Sequence, residues 1–342
     1  MPNANVHKKF TACGDIEAEM LLKKVLAGMK EALSGTDLCV VLGGSYGRGD
    51  GGVRVDRENG MLYNDLDFFV FARKKCSGDD ILLKSIAKKY EDELKIDVDF
   101  SRIMSIGEIK SNAPRLMMQE LKRGYFPVYG EDLLAENLAE LPAASLPFSE
   151  ACRLLLNRGM GLLLAGEKIS GNSSDTDFIL RNIYKAILGA GDAMLIAEKK
   201  YCWKISERQE MIEKSAIPEE WKNLYREAVD FKHSPNRQKT QDISAFWNMA
   251  RDFFRAAIRH SAGEAENLHE GFFKRCKECG ELSLKNYIKY CIKSHSLPLV
   301  AWKYHTMPTV ALLAADIFPE LDKMPDKLNK EMKLYRHWLI FN

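Results

Sequence analysis

Two pairs of aspartates have the spacing expected of residues that bind a metal ion. Asp65 and Asp67 lie in "YNDLDFFVF", and Asp97 and Asp99 lie in "KIDVDFSRI". Residues i and i+2 of a strand point to the same face, so each pair places two carboxylates about 6.6 Å apart along one face. Such a cluster repels itself unless cations neutralise it or protons bind. If the two strands are neighbours, three or four carboxylates converge, and these oxygen ligands favour Mg²⁺ or Mn²⁺ over zinc.

A glycine-rich stretch, "VVLGGSYGRGDGG", precedes the first aspartate pair. Glycines such as Gly43 and Gly44 let backbone N–H groups approach phosphate oxygens closely. Ser45 adds a hydroxyl donor and Arg48 adds a planar cation. No Gly-Lys-Ser/Thr follows, so the stretch is not a Walker A loop. It predicts a phosphate-binding turn next to the carboxylates.

Alternating helix and strand patterns in the first part of the chain must position these residues. Helical spacing of apolar residues predicts helices over 15–33, 79–94 and 113–124. Short apolar or alternating runs predict strands over 37–44, 65–72 and 95–103, with a short extended piece at "YFPVYG". In the second strand Leu66 and Phe68 face the core, opposite the aspartates.

Strand-like alternation is almost absent after "LPAASLPFSE", residues 141–150, whose composition predicts a linker. The remaining chain predicts helices over 149–167, 175–199, 206–215, 218–230, 241–262, 264–280, 283–294 and 309–316. We therefore expect an α+β protein, with a mixed sheet flanked by helices in domain 1–140 and an all-α domain in 141–342.

Composition narrows the class of protein. The net charge of +2 and the lack of a long basic stripe argue against nucleic acid as a partner. No apolar run is long enough to span a bilayer, and the N-terminus lacks the apolar core of a signal peptide. The eight cysteines are scattered, which is typical of reduced thiols. We expect a cytoplasmic protein without a membrane partner, and the oligomeric state stays open.

The combined pattern "GGSYGRGDGG…YNDLDFFVF" resembles the DNA polymerase beta-like nucleotidyltransferase superfamily, especially its antibiotic and other small-molecule nucleotidyltransferases. The resemblance covers residues 37–103 and extends to the helical half only as architecture. It implies a nucleotidyltransferase-type sheet followed by a helical domain that closes over the nucleotide. One departure is the loop "GVRVDRENGMLYN", which is longer than in compact members and predicts a small hairpin with "ENG" at its turn.

The resemblance also implies a role for each carboxylate. Asp65 and Asp67 would ligate both metals, and Asp97 or Asp99 would complete the catalytic metal site and help to deprotonate an acceptor hydroxyl. All four are candidate catalytic and metal-binding residues, and the choice between the last two stays open because both point the same way.

Nucleotide contacts are implied in the same way. Gly43, Gly44 and Ser45 would contact the β- and γ-phosphates of an NTP, for which ATP is expected. Arg48 is either a phosphate or substrate contact or one partner of a loop salt bridge. Lys185, in "RNIYKAILGAGDAML", is either a triphosphate contact or an exposed helical lysine. Asp192 could be a substrate-binding carboxylate or a general base, and a local backbone-bonding or surface role is equally open.

The implied reaction is transfer of an NMP from an NTP to a hydroxyl or phosphate acceptor by two metal ions, Mg²⁺ or Mn²⁺, with pyrophosphate leaving. The acceptor stays open among a small molecule, a protein hydroxyl and a second nucleotide. The alternative is a catalytically silent nucleotide-binding sensor, or a partner-binding module of the toxin–antitoxin kind.

One further cluster has metal-ligand spacing. Cys276, Cys279, Cys291 and His295 form the pattern C-x2-C-x11-C-x3-H, which resembles a zinc site. Residues 283–294 also read as an amphipathic helix that places Cys291 in a core, so zinc ligation and core packing both stay open.

Overall fold

The computed structural model of this protein describes residues 9–54, 61–74, 78–235, 242–266 and 268–279. It shows a mixed α+β protein with a small sheet and many helices, which confirms the predicted class at that level. The chain divides into two compact units. One is Met1–Pro142 together with Asp230–Asn236, and the other is Ala143–Val229 together with Arg237–Asn342.

The sheet of the first unit is built from short strands. They are β1 (Leu38–Leu42), β2 (Leu66–Ala72), β3 (Val98–Phe100), β4 (Met104–Ser105) and β5 (Phe126–Tyr129). The spatial order is β3-β2-β1-β5, with β4 also paired to β2. β1 is antiparallel to β2 and β5, whereas β2 is parallel to β3 and β4. Of the strand expected over 95–103, only Val98–Phe100 forms a strand; β4 begins just after that range, and both pair with β2.

Both faces of this sheet are covered by helices. The helices of the first unit are α1 (Ile16–Ala32), α2 (Gly44–Gly47), α3 (Asp79–Leu94), α4 (Ile106–Ser111), α5 (Leu116–Arg123) and α6 (Leu133–Asn137). Leu38, Val40 and Leu42 pack with α1 and α3, while Cys39 and Val41 pack with α4, α5 and α6. Because both faces are buried, β1 reads as a continuous apolar run rather than an alternating one.

The second unit is helical. Its helices are α7 (Phe148–Ser170), α8 (Thr176–Ala197), α9 (Ile205–Glu213), α10 (Glu219–His233), α11 (Ile243–Ser261) and α12 (Leu268–Glu278), of which α10 ends in the 230–236 segment of the first unit. α8 packs against α7 and α11. The buried Trp247 of α11 donates a hydrogen bond from Nε1 to the Leu162 carbonyl (2.8 Å), joining α11 to α7. Among the described residues, no helix is long and apolar enough to cross a membrane.

The long helices confirm the periodicity argument, and the short ones show its limit. α1 and α3 match the predicted ranges 15–33 and 79–94 within two residues. α2, α4 and α6 were not predicted, because four to six residues are too few to show a helical period. The helices predicted over 283–294 and 309–316 lie outside the described residues.

Candidate functional site

The two aspartate pairs lie at the starts of neighbouring strands: Asp67 is in β2 and Asp99 in β3, and Asp65 and Asp97 come just before them. β2 and β3 run parallel, and their register places Asp67 directly beside Asp99. The Leu66 N–H donates to the Asp97 carbonyl (2.9 Å), so the same register places Asp65 beside Asp97. Neighbouring strands lie about 4.8 Å apart, so the four aspartates form a two-by-two array at one end of the sheet.

The array occupies a definite face. Leu66 and Phe68, on the other face of β2, are fully buried against α1 and α3. The aspartates share their face with Phe69 and Phe71, which pack towards α4, α5 and α6. Asp65 and Asp67 are half-buried, whereas Asp97 and Asp99 are exposed. One pair is therefore partly enclosed while its neighbours remain open to water.

The glycine stretch meets this array at Asp67. The Gly43 N–H donates to the Asp67 carbonyl (2.8 Å), which extends the β1–β2 pairing by one residue. Gly44 has a φ of +59°, and a Cβ atom placed there would lie only 2.0 Å from Asp67 Oδ2. The carboxylate of Asp67 therefore lies against the backbone of Gly44, in space that any other residue would fill.

The predicted turn is a short helix. α2 begins at Gly44, and the Gly47 N–H donates to the Gly43 carbonyl (2.7 Å). Ser45 is half-buried in this first turn. The first N–H groups of a helix have no acceptor within the helix, so this turn can offer them to an anion.

Arg48 forms the loop salt bridges that were one of its two predicted roles. Its Nη1 lies 3.6 Å from Glu120 Oε2, and its Nε lies 4.0 Å from Asp50 Oδ2. Asp50 is shared with Lys232, whose Nζ lies 3.8 Å away. A phosphate contact by Arg48 stays a prediction.

The candidates in the second unit have different surroundings. Lys185 is half-buried on α8. Asp192 accepts a hydrogen bond from the Tyr225 hydroxyl (2.7 Å) and lies 3.0 Å from Arg208 Nε, with both partners buried. Burial, followed by the charge of Asp192, raises the pKa of Tyr225 well above its ordinary value. Asp192 is therefore a partly buried residue paired with the buried Arg208.

Tyr46, which links the glycine-rich stretch to the residues before Asp65, was not predicted from the sequence. Tyr46 is 1% exposed, and its hydroxyl donates to the Gly52 carbonyl (2.8 Å) and accepts from the Tyr63 N–H (3.0 Å). Val53 pairs antiparallel with Leu62, as the predicted hairpin requires, while its "ENG" turn lies outside the described residues. The available signal was a large aromatic residue inside a run of glycines.

The side chains around Asp67 determine whether a metal ion could bind here. Over the described parts of the chain, no three His, Cys, Asp or Glu side chains form a group that could hold a metal ion. The donor types on the sheet face are carboxylate oxygens only, which suits Mg²⁺ chemically. Of the zinc candidates, Cys279 is exposed after α12, and Cys291 and His295 lie outside the described residues.

No protein-family model matches this chain, and no curated protein matches it either.

Proposed function

We propose that this protein is a metal-dependent nucleotidyltransferase that moves an NMP from an NTP, with ATP as the expected donor, to a hydroxyl or phosphate acceptor. One observation carries the proposal. The Asp67 carboxylate lies against the backbone of Gly44 at the start of α2, and in register with Asp99 on the next strand. The proximity of this glycine turn to a set of carboxylates supports the proposal, because a metal–phosphate complex requires backbone N–H donors and carboxylates side by side.

Three of the four aspartates are assigned to metal binding. As they stand in the described parts of the chain, no three such side chains form a group that could hold a metal ion, so Asp65, Asp67 and Asp99 would hold the divalent ions only after their carboxylates turn towards one another. Bound Mg²⁺ would then supply charge stabilisation to the transferring phosphoryl group. We choose Asp99 over Asp97 because Asp99 is in register with Asp67, the aspartate that touches Gly44. Asp97 instead lies beside Asp65, with the Leu66–Val98 pair between it and Asp99.

The glycine–serine turn supplies the phosphate contacts. Backbone N–H groups at Gly44 and Ser45, with the Ser45 hydroxyl, would donate to the β- and γ-phosphate oxygens. Lys185 stays a candidate for the triphosphate. In the reaction the acceptor oxygen forms a bond to the α-phosphorus, the bond to pyrophosphate breaks, and Asp99 accepts the proton of the acceptor hydroxyl.

Pyrophosphate release tests this function. The assay takes each NTP with Mg²⁺ or Mn²⁺, with and without a panel of small hydroxylated molecules, nucleotides and proteins. We expect release that depends on metal and on one class of acceptor. Asp67→Asn should lower the rate by about a hundredfold or more, because the reaction loses a group that stabilises its transition state.

The neighbouring aspartates are matched controls for each other. Asp99→Asn should cause a loss as large as Asp67→Asn, while Asp97→Asn should stay within a few fold of the wild type. Turnover that survives Asp67→Asn would contradict the proposed function. Equal losses at Asp97 and Asp99 would contradict only the choice of Asp99. NTP binding by calorimetry without any release would support the nucleotide sensor instead.

A further inference from the structure

We propose that Tyr46 is a positioning residue, whose buried hydroxyl fixes Ser45 relative to Asp65 across the hairpin that follows α2. The inference rests on the proposed function, since it concerns the same site. Tyr46 is the residue after Ser45, and its hydroxyl accepts from the N–H of Tyr63, two residues before Asp65. One hydroxyl therefore connects α2 to the residues that lead into β2. We call this contact the Tyr46 bridge.

The bridge has two main-chain partners. The Tyr46 hydroxyl donates to the Gly52 carbonyl at 2.8 Å and accepts from the Tyr63 N–H at 3.0 Å. Residues 52 and 63 lie on opposite sides of the hairpin, where the Tyr63 N–H also reaches the Gly52 carbonyl at 3.3 Å. Backbone groups at both sides are thus held by a side chain that is 1% exposed.

Close packing around the ring explains glycines that phosphate binding does not. A Cβ atom on Gly51 would lie 2.0 Å from Tyr46 Cδ1, so only glycine leaves room for the ring. The Gly52 N–H donates to Asn64 Oδ1 (2.7 Å), which ties the residue before Asp65 to the same segment. The absence of a side chain at Gly51 therefore makes room for the Tyr46 ring, whereas at Gly44 it makes room for Asp67.

Burial keeps the bridge in one protonation state. Desolvation raises the pKa of Tyr46 above its ordinary value, although the backbone bonds from Tyr63 and Asn64 oppose the shift. The hydroxyl therefore stays a donor to Gly52 throughout the neutral range. Its removal leaves the Tyr63–Gly52 bond in place, so the hairpin remains closed while its link to Ser45 is lost.

The test compares Tyr46→Phe with Tyr129→Phe. The Tyr129 hydroxyl also joins two backbone groups of the first unit, accepting from the Gly35 N–H (3.2 Å) and donating to the Thr36 carbonyl (3.3 Å). Tyr129 is the last residue of β5, and its two partners precede β1, at the opposite end of that strand from Gly43. Each variant thus loses one hydroxyl with two main-chain bonds, and only Tyr46→Phe loses it beside the aspartates.

Amide hydrogen exchange of the full chain is the first measurement. We expect Tyr46→Phe to raise exchange about five- to tenfold in peptides covering 44–48 and 61–65, because one net hydrogen bond changes a local opening equilibrium by about that factor. Tyr129→Phe should leave these peptides unchanged. Unchanged exchange in Tyr46→Phe, or equal changes in both variants, would overturn the proposal.

Metal dependence of pyrophosphate release is the second measurement. Tyr46→Phe should raise the Mg²⁺ concentration for half-maximal rate several-fold. The assay is run where circular dichroism shows both variants fully folded, because a smaller folded fraction would itself raise that concentration. Tyr129→Phe should leave that concentration unchanged. Asp67→Asn in the same assay separates the two ideas. If Asp67→Asn abolishes release and Tyr46→Phe keeps the wild-type Mg²⁺ dependence, the bridge fails while the proposed function stands. If release survives Asp67→Asn, the proposed function is wrong, and the bridge loses its catalytic role with it.

Discussion

The carboxylate of Asp67 occupies the space that a Cβ atom of residue 44 would need, so only glycine at position 44 allows this contact. Gly44 has a positive φ and no Cβ, so the Asp67 carboxylate rests against its Cα. Because both the positive φ and the missing Cβ are needed here, even a methyl group at position 44 should disturb the site. The two effects can be separated because Gly35 has a positive φ without any crowding.

Gly44→Ala is therefore compared with Gly35→Ala. A methyl group at residue 35, where φ is +85°, meets nothing within 4 Å, so that variant carries backbone strain alone. We expect each variant to lose about 1 kcal/mol of stability from strain at positive φ. Gly44→Ala should also displace Asp67 and lower pyrophosphate release by about tenfold or more. Thermal unfolding and the release assay measure the two effects. Equal activities in both variants would show that the Gly44–Asp67 contact has no role in turnover.

At the scale of elements, α4 shows how local side chains start a helix that periodicity does not reveal. The Ser105 hydroxyl accepts from the Glu108 N–H (3.3 Å), and the Glu108 carboxylate accepts from the Ser105 N–H (2.8 Å). This capping box satisfies two donors at the helix start. The Ser105 backbone bond first, and then Arg102, lower the pKa of Glu108 to about 2.

The stability of Glu108→Gln should depend on pH in a defined direction. A carboxyl whose pKa is lowered in the folded state stabilises the fold above its unfolded pKa, near 4.3, and loses that effect as the pH falls towards about 2. At pH 7 we expect the variant to lose about 0.3–1 kcal/mol, because a negative charge near a helix N-terminus is removed. Urea unfolding at pH 7, 5, 4 and 3 should show the difference shrinking below about pH 4.5. A difference that stays constant over this range would contradict the role of the charge.

At the scale of the whole chain, the first unit is not one continuous stretch of sequence. Residues 230–236, which the sequence reading placed in the helical domain, belong to it by their contacts. The Phe231 ring meets Tyr63 edge-on at 5.7 Å, and Lys232 lies near Asp50. A Cβ atom on Gly52 would lie 2.8 Å from the Lys232 carbonyl oxygen. The hairpin beside Asp65 thus depends on residues far away in the sequence.

Phe231→Ala tests this dependence, with Phe272→Ala as its control. Phe231 is 7% exposed beside the hairpin, whereas Phe272 is 1% exposed in the second unit and stacks on Phe148. Each variant should lose about 3–5 kcal/mol of stability, the usual effect of removing a buried ring. Hydrogen exchange in peptides covering 61–65 should rise in Phe231→Ala and stay at the wild-type level in Phe272→Ala. The same exchange in both variants would contradict a local role for the 230–236 segment.

The sequence by itself determined the properties that depend on neighbours along the chain. Alternation places Asp65 and Asp67 on the face opposite Leu66 and Phe68, and apolar spacing locates α1 and α3, because side-chain direction in a strand or helix follows from local geometry. The glycine-rich stretch likewise indicated a close approach to the backbone, but the sequence did not identify the group that approaches.

Only the tertiary structure decided which residues meet. The register that aligns Asp67 with Asp99, the contact of that carboxylate with Gly44, and the hydroxyl bridge from Tyr46 to Tyr63 each join residues from separate segments. Pairing depends on how whole elements pack, and one residue of slip would have turned every side chain of β3 to the other face. For the same reason the sequence left Asp192 open among several roles, whereas packing of α8, α9 and α10 placed it, partly buried, in an ion pair with Arg208.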